Sequence, residues 1–180
     1  MAALILPYGG VSPRIAEGVF IAPTATVIGD VEIGEGSGIW FGVVVRGDVN
    51  KVRIGEGSNI QDGTIVHVAS EELGPKGSLA TVIGSAVTVG HSVIIHACTL
   101  KDGCFVGMGA VVMDGAVVES NAMVAAGAVV TPGKHIEAGQ LWAGVPAKYL
   151  RDLSVEEIER NASTAPRYQK LARRYLDSGL

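Results

Sequence analysis

From Ile21 onward the chain falls into sixes, each led by an aliphatic residue that is often followed by Gly or Ala. The hexads read IAPTAT, VIGDVE, IGEGSG and IWFGVV, then IGEGSN and IQDGTI. After residue 80 they continue as IGSAVT, VGHSVI, IHACT, LKDGCF, VGMGAV, VMDGAV, VESNAM and VAAGAV. A period held over so many units marks a quasi-one-dimensional repeat, stabilised by stacked neighbours and not by any single unit. Three hexads make one triangular turn of a parallel β-helix. Each short strand forms one face, and the leading aliphatic points inward. An ordinary β-sandwich would not keep that phase. At a strand spacing of about 4.8 Å, six to seven turns form a prism roughly 30 Å tall. With 25 Gly and only 5% aromatic residues, the composition suits a narrow, regular interior.

The phase breaks in three places. Three extra residues lie between Val45 and Ile54, within VRGDVNKVR. The polar stretch ASEELGPKGSLA (69–80) reads as a loop leaving the prism. The step from Ile95 to Leu100 is one residue short. The repeat fades after TPGKHIEAGQLWAGVPAKYL, so the β-helix domain is expected over 1–150 and a C-terminal helix packed on it over 151–180. Ser154 and Glu157 have the spacing of a capping box. Ile158, Leu171 and Tyr175 are expected on the apolar stripe, and Pro166 either splits the helix or starts a second one.

Several classes of function are disfavoured. A net charge of −4 without a Lys/Arg cluster argues against nucleic acid or an anionic membrane surface as partner. MAALILPYGG has no basic n-region of a signal peptide, and no apolar run approaches a membrane span. Cys98 and Cys104 form neither a CxxC pair nor a metal-ligand spacing, which fits a reducing, cytoplasmic setting.

Two of the four histidines, His91 and His96, stand five residues apart. That spacing fits neither a helix face nor a strand face. In the hexad register, His67 follows Val66, His96 follows Ile95 and Arg46 follows Val45, so all three take the outward position after an inward aliphatic. Arg46 and His67 are 21 positions apart, one 18-residue turn plus the three extra residues. His67 and His96 are 29 apart, which stacks them if the loop contributes eleven residues. An insertion of five or seventeen would keep the phase but move His96 to another face. Under the eleven-residue assignment His91 also stacks above Asp62, with Gln61 and Gly90 alongside, around a corner from the first column. One chain then carries two half-sites, Arg46/His67/His96 and Gln61/Asp62/His91. A three-fold ring would set one against the other on the next chain. Three neutral imidazoles that converge this way make a metal site with an open fourth position for water. His135 is read as an ordinary solvated histidine.

RGDVNKVRIGEGSNIQDGTIVH (46–67), VGHSVIIHACTL (89–100), VGMGAVVMDGAVV (106–118) and AGVPAK (143–148) resemble the gamma-class carbonic anhydrases. RGD…NIQDG…H followed by GHxxxxH is the specific part, since hexapeptides alone are shared with many acyltransferases. The resemblance implies a homotrimer of left-handed parallel β-helices with metal sites at the subunit interfaces. His67 and His96 would bind from one chain and His91 from its neighbour. Zn²⁺ is the expected cofactor and Fe²⁺ the alternative, since imidazole suits both. The resemblance further implies interface salt bridges for Arg46 and Asp48, with Asp62 as Arg46's other partner. Gln61 would hydrogen-bond metal-bound water or substrate, and Asn59 would line the site beside it. Tyr168 is similar to a tyrosine that reaches toward the metal in short members, although its spacing to Leu171 and Tyr175 equally suits packing.

The implied activity is reversible hydration of CO2 to bicarbonate by metal-bound hydroxide. Val49 and Ser70 depart from the family's founding archaeal type, which carries glutamates there; Glu71 and Glu72 are adjacent but not aligned. The second of those glutamates shuttles protons in that type, so this chain resembles the shorter subclass without it. Two other readings compete. One is a hexapeptide acyltransferase that uses acyl-CoA and one histidine as base. The other is a metal-binding member with little anhydrase activity, in a thioesterase or assembly role.

Overall fold

The computed structural model describes residues 3–70 and 80–179. It is a left-handed parallel β-helix of about seven turns with a helical tail that packs along the face carrying Phe20–Ile21, Gly38–Ile39 and Asn59–Ile60. The leading aliphatics form its interior: Val27, Ile33, Ile39, Val45, Ile54, Ile60, Val66, Ile83, Val89, Ile95, Leu100, Val106, Val112, Val118, Val124, Val130 and Ile136 are all buried. Parallel pairing joins each strand to its counterpart one turn away, so every inward residue rests on another across one rung.

Three faces follow. One carries Leu4–Leu6, Ile65–His67, Ile94–His96, Val111–Val112 and Val129–Val130. A second carries Arg14–Ile15, Thr81–Ile83, Thr99–Leu100, Val117–Val118 and His135–Ile136. The third runs from Phe20–Ile21 through Asn59–Ile60 and Thr88–Val89 to Gln140–Ala143, where Lys148–Asp152 pairs antiparallel and ends the sheet. Among the described residues no helix is long and apolar enough to cross a membrane.

The phase breaks have distinct structural causes. The strands Thr26–Ile33 and Val44–Ile54 run across a corner that the hexads alone would have turned, and join the first two faces into one sheet. Their register is Gly29 with Gly47 before the corner and Val31 with Val52 after it. The three extra residues are thus absorbed in a bulge between Gly47 and Val52. Gly29 has φ +78°, and a Cβ there would collide with the Gly47 carbonyl, so the crossing requires glycine. At the short step, Ala97 takes φ +48° immediately after His96. The chain therefore turns one residue earlier than in a full hexad, where the left-handed residue comes third after the leading aliphatic, as Gly63 does after Ile60. Residues 71–79 of the expected loop, with Glu71 and Glu72, lie outside the described residues.

The tail forms two helices, α1 (Val155–Ala162) and α2 (Thr164–Asp177). Pro166 lies in the first turn of α2, where its missing N–H costs nothing, so it starts a second helix and does not split one. Ser154 and Glu157 form the capping box, and the Glu157 carboxylate also holds Arg151 at 2.7 and 2.8 Å. Leu171 is exposed, contrary to the expected stripe. The face of α2 that meets the prism is Ala165, Tyr168, Ala172, Tyr175 and Leu176. Tyr175 packs on Phe20, Trp40 and Phe41 with ring centroids 5.2 to 5.7 Å apart, which fixes the helix phase and turns Leu171 outward.

Two predictions follow from the packing. Cys98 and Cys104 are buried at the inner corners of the prism, and burial pushes the Cys98 thiol up to about 12 and raises that of Cys104 as well. Neither should react with a thiol reagent at pH 8 until denaturant is added, as read by mass spectrometry. The hydrogen bonds from Arg151 and from the Ser154 backbone depress the Glu157 carboxyl to about 2. Its contribution to α1 should be complete above the ordinary glutamate range and fall away as pH drops through about 2. An NMR titration that gave an ordinary glutamate pKa would contradict this.

Candidate metal centre

Each histidine is placed by the rung that carries it. His67 and His96 end paired parallel strands in direct register, with ring centroids 5.3 Å apart, a gap that two ligands of one ion can close. The same register sets Val45 beside Val66, so Arg46 continues the column. The loop therefore contributes the eleven residues that stack this column. His91 lies on the adjacent edge, where Val89 registers with Ile60. Its Nδ1 is 2.9 Å from an Asp62 carboxylate oxygen one rung away. Among the described residues, no single-chain cluster of three or more His, Cys, Asp or Glu side chains gathers in metal-holding geometry.

The Arg46 side chain donates to Asp48 at the edge of the bulge. Asp48 also takes His67 Nε2 at 3.0 Å. Burial raises the Asp48 carboxyl, but the hydrogen bonds from Arg46 and His67 and the Arg46 charge outweigh it and hold the group below the usual range. Burial lowers His67 and, with the Arg46 charge, outweighs the Asp48 hydrogen bond, which favours the neutral imidazole a metal needs. Asp62 meets His91 of its own chain.

A residue that the sequence did not single out joins the site. His96 Nδ1 is 2.6 Å from Asp114 Oδ1. The signal was present in the short hexad IHACT one rung from the corner MDG, a juxtaposition legible only once the register was known. Each of the three histidines thus has a carboxylate at one ring nitrogen, Nδ1 in His91 and His96 and Nε2 in His67. Metal-binding histidines commonly show this pattern, so the residues fit a divalent ion.

Beside the His91 edge, Asn59 and Gln61 are buried in a directed chain. Gln61 Nε2 donates to Asn59 Oδ1 at 3.0 Å, and Asn59 Nδ2 donates to Thr88 Oγ1 at 3.0 Å. The Gln61 amide is thereby oriented with its carbonyl oxygen as the remaining acceptor. Tyr168 meets Trp40 edge-on with centroids 5.3 Å apart. Burial, with a smaller effect of the Asp62 charge, raises its phenol, and α2 packs against the strand Asn59–Ile60 that leads into Gln61 and Asp62.

A family model described as Bacterial transferase hexapeptide (six repeats) matches residues 12–47 and 97–132. Gamma carbonic anhydrase 2, mitochondrial, of Arabidopsis thaliana is 53% identical over 161 residues, 89% of this chain and 58% of the plant protein. Protein YrdA of Escherichia coli is 43% identical over 180 residues, 99% of this chain and 97% of that one. A hexapeptide transferase family protein from Anaplasma phagocytophilum superposes with a TM-score of 0.89 at 50% identity, over 96% of this chain and 98% of that structure. The repeat and these relatives define a hexapeptide-repeat protein. Within that class the chain belongs to the gamma carbonic anhydrase family, in its short bacterial form. It spans about three fifths of the length of the plant relative.

The Tyr168 environment predicts which part of the side chain matters for stability. Tyr168→Phe should leave stability nearly unchanged, whereas Tyr168→Ala should cost about 2 kcal/mol by removing the contact with Trp40, as read from urea unfolding. Equal losses would instead place the hydroxyl in a structural hydrogen bond.

Proposed function

We propose that the chain assembles as a cytoplasmic homotrimer whose interfaces each hold one Zn²⁺ or Fe²⁺ between His67 and His96 of one copy and His91 of the next, and that this assembly hydrates CO2 reversibly to bicarbonate. The observation that carries the reading is the division of the ligands. His67 and His96 lie rung upon rung on one face, while His91 lies on another edge beside Asp62. The names of the plant relatives support the reaction.

A divalent ion bound by three imidazoles supplies the Lewis acidity that lowers the pKa of water to about 7. The protein's own side chains do the rest. Asp48, Asp62 and Asp114 orient the imidazoles, and Arg46 shares Asp48 and remains half-exposed for a contact between copies. The fixed Gln61 carbonyl oxygen accepts a hydrogen bond from the reacting water or from the bicarbonate hydroxyl, and Asn59 keeps that amide from rotating. Tyr168 stands on Trp40 beside the strand that carries Asn59.

Purified without chelator, the protein should carry about one metal ion per chain and run as a trimer. His91→Ala should abolish metal binding at every site, and metal retained at wild-type stoichiometry would contradict the split-ligand reading. Because Val49 and Ser70 carry no transferable proton in the role of a glutamate, CO2 hydration should accelerate as imidazole buffer is raised. A stopped-flow rate independent of buffer would place an efficient proton carrier within the protein.

The transferase descriptions of the family model and of the Anaplasma structure favour a second reading, acyl transfer from acyl-CoA. A metal-free protein that binds CoA in calorimetry would replace the first reading with this one. A metal-loaded trimer without hydration activity would point to the thioesterase or assembly role.

A further inference from the structure

We infer that Asp114 is a positioning residue for the metal centre, fixing His96 in the tautomer and ring orientation that present Nε2 to the ion. The inference rests on the proposed metal site but concerns a residue outside its ligand set. Its observation is the 2.6 Å approach of Asp114 Oδ1 to His96 Nδ1 across one rung.

The geometry follows from the short hexad. The chain leaves the strand at Ala97, which has φ +48°, whereas the rung below completes a full corner through Met113 and Asp114 to Gly115, which has φ +67°. Gly115 donates its amide to the Ala97 carbonyl at 2.7 Å and ties the two corners together. A full corner beneath a shortened one leaves the Asp114 carboxylate beside the His96 ring. Among the described residues Asp114 pairs with no Lys or Arg, unlike Asp48, which is shared with Arg46. Its charge is therefore directed at one imidazole. An ionised carboxylate only accepts, so Nδ1 must carry the hydrogen and Nε2 is left as the lone-pair donor. Removing such a carboxylate partner from a metal-binding histidine typically weakens metal affinity about 10–100-fold.

The test uses the chelator-stripped full-length protein in its native assembly. In long-range ¹H–¹⁵N correlation spectra at pH 8, His96 should be in the Nδ1–H form in the wild type and lose that preference in Asp114→Ala. Zn²⁺ affinity, measured by competition with a chromophoric chelator, should fall about 10–100-fold in Asp114→Ala, with Asp114→Asn retaining part of it through its amide oxygen. The Asp114 side chain is partly exposed and the Asp-Gly corner tolerates alanine, so assembly mass and unfolding midpoint should stay close to wild type. In a His96→Ala background, Asp114→Ala should add no further loss. Wild-type affinity together with an unchanged His96 tautomer in Asp114→Ala would overturn the inference while leaving the metal site standing. Full affinity in His96→Ala would overturn the metal reading itself, and the inference with it.

Discussion

One inward aliphatic side chain per hexad, resting on its counterpart a rung away, is the interaction on which the rest of the molecule depends. Parallel backbone pairing fixes the rung spacing, and the leading residues from Val27 to Ile136 are buried in the prism. A solenoid built this way has few spare degrees of freedom. Once the inward residue of a rung is set, the next residue must point outward, and its neighbours above and below are determined by the count between them. His67 and His96 face each other because Val66 and Ile95 do. The site is a by-product of core packing read one position further along the chain.

Departures from the regular repeat are where chemistry enters. Three extra residues make the bulge that carries Asp48 toward His67, and glycines at 29 and 47 let the two strands pass closely enough to form it. One missing residue turns the chain early at Ala97 and brings Asp114 beside His96. The loop contributes the number of residues that keeps His96 over His67. The bulge and the short step each bring a carboxylate to a histidine, whereas left-handed non-glycine residues also stand at regular corners, as Ala86 and Asn121 do.

Much of this was legible before the structure was known, and the limits have physical reasons. Hexad periodicity reveals which residue of each unit points inward, so the columns of His67, His96, Asp62 and His91 could be counted from the sequence once the loop's contribution was assumed. The crossing strands Thr26–Ile33 and Val44–Ile54 could not, because a bulge leaves the alternation of inward residues intact on both sides and only lengthens the interval between them. The tail was harder still. Leu171 looks like an apolar stripe residue, but the phase of α2 is set by where Tyr168 and Tyr175 find Trp40 and Phe20, contacts 128 and 155 residues away in sequence that no local pattern encodes. Asp114 was missed for a related reason: its partner is across a rung whose register depends on the short step.

The central claim is that one chain holds two incomplete halves of a metal site that only a neighbour can complete. Mixing two inactive variants tests it most directly. A His67→Ala/His96→Ala chain and a His91→Ala chain, each metal-free when alone, would be unfolded and refolded together, and the mixed trimers isolated by differential tags. In a closed ring every mixed trimer contains one interface with an intact ligand set, so the account predicts about one metal ion per mixed trimer and recovery of part of the wild-type CO2 hydration rate. Mixed trimers that form but bind no metal would contradict it and show that the three histidines do not meet across the interface.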